Sequence, residues 1–77
     1  MENLLSRITL NPQISHGKPT IRGTRYLVSA MLEYLAGGDS VEDILREFRD
    51  LVQEDILACI AYASASMNLK DVKVPTG

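Results

Sequence analysis

Ten residues, HGKPTIRGTR at positions 16–25, gather the side chains best suited to chemistry: a histidine, three cations and two threonines among two glycines and a proline. A phosphate-gripping loop would need its last glycine followed by Lys and then Ser or Thr, opening straight into a helix. Here Pro19 follows Lys18. It removes an amide that would face the phosphate and biases Lys18 away from helical geometry. Nucleotide binding is therefore disfavoured. Catalysis by His16 is disfavoured too, because residues 11–26 supply neither a carboxylate to orient it nor further metal ligands. A loop histidine bonded to backbone is the simpler reading. Gly17, Pro19 and Gly23 read as punctuation for a turn and an extended arm. Lys18, Arg22 and Arg25 have two readings: bonded to backbone carbonyls or to the acidic remainder of the chain, which is preferred, or a contact surface.

Outside this stretch no reactive set assembles. Cys59 is the single cysteine, so the chain forms no internal disulfide and no zinc cluster. It falls among apolar helical positions and reads as a small buried hydrophobe. The carboxylates read as solvated helix faces, with Glu42 and Arg46 as an i,i+4 pair.

The elements that position these residues follow from periodicity. Residues 7–10 predict a short strand, and TIRGTRYLV a second strand or extended arm with Gly23 at a turn or bulge. Val28, Met31, Leu32 and Leu35 share one helical face, stopped by the glycine pair at 37 and 38. Ser40 predicts an N-cap with Asp43 three residues on, followed by an apolar stripe of Val41, Ile44, Leu45 and Phe48 and an end near Arg49. A third helix is predicted over 53–67, its inner face Ile56, Cys59, Ile60, Ala63 and Met67 and its outer face Ala58, Ala61, Tyr62, Ala65 and Ser66. The tail from 68 reads as a loose arm or edge strand. The expected fold is mainly α. A three-helix, helix-turn-helix (homeodomain-like) core over 27–67 follows a short β-hairpin or arm over 1–26 and precedes a tail over 68–77, all in one domain.

Composition bounds the rest. A chain of 77 residues with 45% apolar content builds one modest core and leaves much surface exposed, which favours partners. Its overall charge of −2 gives no general attraction to nucleic acid. The distribution is uneven: residues 1–25 sum to +3, and residues 26–77 to −5. Such polarity suits a charge-complementary contact, head-to-tail with a second copy or with a mixed-charge partner. No apolar run reaches the roughly 20 residues of a membrane span, and the N-terminus lacks the cationic start and long apolar run of a signal peptide. A cytoplasmic protein is expected.

A recognition helix on DNA meets bases and phosphates through its first turn. Here that turn holds Gln53, Glu54 and Asp55, and the outer face beyond it has no Arg or Lys. DNA, if contacted, would meet Arg7, Lys18, Arg22 and Arg25 instead.

GKPTIRGTRYLVSAMLEYLAGGDSVEDILREF followed by EDILACIAYASA resembles the domain of unknown function 433 (DUF433) family over about residues 8–66. The resemblance implies a helix-turn-helix-like core similar to VapB-type antitoxins, with a PIN-like ribonuclease toxin as partner. Family members place a proline near position 49 and a Ser or Thr near 52. Arg49 and Val52 stand there instead, which leaves two readings of that turn, a looser connection or a cap from Asp50. The roughly ten residues beyond that helix argue against a toxin-wrapping tail.

The expectation is thus an antitoxin-like, non-enzymatic homodimer with no cofactor and no metal, which neutralises a PIN-like toxin. Glu42, Glu47, Glu54 and Asp55 would face the toxin. Arg7, Lys18, Arg22 and Arg25 would contact DNA or a partner. The alternative is a homodimeric repressor that binds operator DNA through the basic N-terminal segment.

Overall fold

The computed structural model describes residues 3–67. They form a mainly α fold of three helices with a two-stranded antiparallel sheet. The expected tail lies outside the described residues. The described residues open on a 3-10 turn, Leu4–Arg7, capped by the Asn3 side chain, which accepts from the Leu5 amide. Strand β1 (Ile8–Thr9) pairs with β2 (Thr20–Ile21), Ile8 opposite Ile21 and Thr9 opposite Thr20. Between them the chain makes a left-handed turn at Ser15, His16 and Gly17, with φ of 50°, 57° and 81°. The first two are conformations that cost a side-chain-bearing residue about 1 kcal/mol or more each.

Helix α1 (Val28–Ala36) begins at Leu27 without a side-chain cap; the Val28 amide donates instead to the Pro19 carbonyl. Its end follows the glycine pair. Gly38 takes a left-handed φ of 106°, its amide returns to Leu35, and that of Asp39 returns to Tyr34. These two bonds make a Schellman ending, in which orphan carbonyls of the last turn find donors.

Helix α2 (Val41–Glu47) has a complete capping box. The Ser40 hydroxyl accepts from the Asp43 amide at 3.0 Å, and the Asp43 carboxylate accepts from the Ser40 amide at 2.9 Å. The helix stops at Glu47, two residues before the expected end, with Phe48 as cap. Arg46 pairs with Asp43 at 3.2 Å rather than with Glu42, because the capping carboxylate is already held in reach one turn back.

Helix α3 (Gln53–Met67) has the predicted span. Its start is held by Asp55, which accepts from the Val52 amide at 3.0 Å, while Asp50 accepts from the Tyr26 hydroxyl. The reading in which Asp50 caps this helix is replaced: Val52 has no capping oxygen, so Asp55 supplies the reverse half of a capping box.

The core joins Ile21 of the arm, Val28 and Met31 of α1, Ile44 of α2, Leu51 of the connection, and Ile56 and Cys59 of α3. One expected face is corrected. Ile60 and Met67 are 43% and 61% exposed, Ala58 is fully buried, and Tyr62 packs against the core. Apolar residues at 56, 57, 59 and 60 allow two rotations of the helix. Asp55 decides between them, since its bonds turn its own side of α3 toward the N-terminal turn.

Candidate interaction surfaces

The basic stretch is a tight turn built on β2. The Ile21 carbonyl accepts from the Thr24 amide at 3.0 Å and from the Thr24 hydroxyl at 2.7 Å. That hydroxyl oxygen accepts from the Tyr26 amide at 3.1 Å, and the Ile21 amide donates to the Tyr26 carbonyl. Gly23 carries the positive φ, 76°, at the third position, where a type II turn requires it. Arg22 and Arg25 therefore project from a backbone closed by bonds on both sides. The Lys18 and Gly17 amides are spent on the Ser15 and Ile14 carbonyls. Neither points into an anion cradle, which agrees with the reading of this loop as punctuation.

The four cations of this region divide by role. The Arg7 guanidinium lies 3.0 Å from the Asp55 carboxylate, both side chains being more than four-fifths buried. Arg7 and Asp55, expected as contact residues on opposite surfaces, thus bind one another inside the molecule. Lys18, Arg22 and Arg25 are exposed, and none of their side chains makes a hydrogen bond or ion pair among the described residues. The bonded role preferred for Lys18, Arg22 and Arg25 is not what their side chains take; Arg7, expected as a contact residue, takes such a role instead. No carboxylate occurs between residues 3 and 32, so they occupy an acid-free part of the chain.

Among the expected acidic contacts, Glu42, Glu47 and Glu54 are exposed. Asp43, drawn into the capping box, has its pKa lowered, first by the Ser40 amide, then by the Ser40 hydroxyl and Arg46. Cys59 is fully buried, and burial, with Asp55 nearby, raises its thiol pKa to about 11. Among the described residues, His, Cys, Asp and Glu form no group of three or more placed to hold a metal ion.

The sequence reading missed an aromatic cluster. Tyr26 and Phe48 meet edge-on at 5.1 Å between centroids, and Tyr34 lies 5.7 Å from Phe48. Burial raises the Tyr26 pKa, as do the hydrogen bond to Asp50 and its charge. Three of the chain's four aromatic residues meet here, but composition gives only their number: Tyr26 lies in the arm, and no helical period links it to the others.

The family model described as Protein of unknown function (DUF433) matches residues 8–63, which includes the basic turn, α1, α2 and most of α3. The chain belongs to the DUF433 family. A crystal structure of a DUF433 member protein from Anabaena variabilis ATCC 29413 is similar to it, with a TM-score of 0.76 and 25% identity over 82% of this chain. The DUF433 chain spans 62% of that protein's length. No curated protein matches it. No helix among the described residues of this DUF433 chain is long and apolar enough to cross a membrane.

Proposed function

We propose that the chain is a non-enzymatic binding module, the antitoxin half of a toxin–antitoxin pair, which neutralises a PIN-like ribonuclease in the cytoplasm by direct contact. The observation that carries this reading is the separation of exposed charge. Unpartnered cations sit on the N-terminal turn, and Glu42, Glu47 and Glu54 stand exposed on α2 and α3. A ribonuclease presents a basic, RNA-facing surface, and carboxylates held on helices complement it as phosphates do. Asp55 takes no part, because it is engaged with Arg7. In this reading α2 and α3 serve as a helix-turn-helix-like pair, and two copies assemble as a homodimer.

Co-expression with the product of an adjacent small nuclease gene tests it. Glu42→Gln, Glu47→Gln and Glu54→Gln together are expected to weaken co-purification at least about tenfold, since close charge pairs at interfaces contribute well over 1 kcal/mol each. Unchanged binding would remove the charge-mimicry mechanism.

A second reading, an operator-binding repressor, is favoured by Lys18, Arg22 and Arg25 having no partner within the described chain. Three phosphate contacts per copy correspond to a log–log salt slope of about −2.7. Fluorescence anisotropy on the chain's own promoter would detect it. Loss of binding in the Arg22→Ala, Arg25→Ala variant supports the reading, and no binding at low salt overturns it.

A further inference from the structure

Tyr34, on α1, stands between two surface grooves. One, of ≈ 270 Å³, runs past Arg25, Tyr26 and Met31, and the other, of ≈ 280 Å³, runs past Asp39, Asp43 and Glu47. Tyr34 and Phe48 line both. Tyr34 is 41% exposed, yet its ring lies against Phe48, which in turn packs on Tyr26. The Asp50 carboxylate accepts a bond from the Tyr26 hydroxyl and fixes the far end of the row. The result is an exposed aromatic ridge on a rigid base.

The charges on its two sides are opposite. Arg25 is the only ionic side chain lining the first groove and has no partner among the described residues. In the second, Asp43 and Arg46 neutralise one another, which leaves Asp39 and Glu47, both exposed. Tyr and Arg are the residue types most enriched where binding energy concentrates at protein interfaces.

We propose that this ridge docks a segment of a protein partner that lays apolar side chains against Tyr34 and Phe48. The segment directs a carboxylate toward Arg25 and a Lys or Arg toward Asp39 and Glu47. Nucleic acid fits poorly, because its phosphates would run past two unpaired carboxylates. This deepens the reading of the chain as a protein-binding module and rests on it.

The test is an NMR titration of the full-length chain with three twelve-residue peptides. All share a Leu-x-x-Leu centre; their flanks are Glu and Lys, Glu and Glu, or Lys and Lys. The mixed-charge peptide is expected to saturate the signals of Tyr34, Arg25 and Glu47 with Kd below about 1 mM, at least about fivefold tighter than the others. Tyr34→Ala, at an exposed helical position, should weaken it about tenfold. Arg25→Glu should shift preference to the doubly basic peptide, and Asp39→Lys with Glu47→Lys to the doubly acidic one.

No saturable shift by any peptide up to about 5 mM overturns the proposal. So does a stronger shift of the same signals by a twelve-residue oligothymidylate, or a shift with protein concentration alone that shows a second copy on the ridge. No toxin enters this titration. Peptide selectivity without nuclease binding would leave the ridge standing and remove the antitoxin role. Nuclease binding with no saturable peptide shift would do the reverse.

Discussion

Arg7 and Asp55 lie 48 positions apart, and nothing in their local sequence connects them. Each has a plausible surface role when read alone: a cation in a basic arm, and a carboxylate in the first turn of a helix. Only the packing of α3 on the N-terminal turn brings them within 3.0 Å. Removing Asp55 takes a carboxylate away from a guanidinium that is more than four-fifths buried. Asp55→Ala also unseats the Val52 amide, and is expected to cost about 3 kcal/mol in urea denaturation, more than Glu54→Ala beside it.

Cys59 behaves as its helical position suggested, a buried apolar group. Its raised pKa makes a pH-dependent contribution. The folded state holds the proton more tightly than the unfolded state, so this stability is complete below the ordinary thiol pKa of 9.0 and is lost as pH rises toward about 11. Cys59→Ala should flatten the alkaline fall in Tm over that window. In the native protein at pH 8, a thiol reagent should react at the rate of opening rather than at that of a free thiol.

The elements differ in how much of them is visible in sequence. The boundaries of α1 and α2 rest on local chemistry, a glycine pair and a Ser-x-x-Asp box, and local chemistry is what a sequence displays. Gly38 accordingly takes the left-handed position and Ser40 the cap. Gly38→Ala would meet no neighbouring atom within 4 Å, so its cost is conformational alone, about 1 kcal/mol. Ser40→Ala should cost about the same through the lost cap. Far from each other's partners the two would add; here they flank one connection, and a double-mutant cycle by thermal denaturation should show coupling.

The rotation of α3 was not visible, because Leu57 and Ile60 compete with Ala58 for the inward face. A hydrophobic count prefers Ile60; a distant ion pair selects Ala58. The cluster of Tyr26, Tyr34 and Phe48 was hidden for the same reason, since its members come from the arm, α1 and the end of α2.

At the scale of the molecule, the uneven charge of the sequence survives folding in altered form. Folding removes Arg7 and Asp55 from the two opposed surfaces and draws Asp43 into a cap. Of the residues expected as contacts, Lys18, Arg22 and Arg25 stay exposed on the N-terminal side, and Glu42, Glu47 and Glu54 on α2 and α3. Since the three cations hold nothing within the described fold, the triple alanine variant should keep its Tm within about 3 °C, as surface substitutions do. A larger fall would show that they bind something inside the molecule after all.

Arg7 also has a second attachment. Its carbonyl accepts from the Arg22 amide at 2.7 Å, while its guanidinium reaches Asp55, which holds the first amide ahead of α3. The tight turn and the start of the third helix are therefore moored to one residue. In native-state hydrogen exchange, the amides of Arg22 and Val52 should share one opening free energy, though 30 residues separate them in the chain. Arg7→Met, which keeps the carbonyl and the stem, should speed the exchange of both together. A partner that grips the turn would then slow exchange at the head of α3 without touching it.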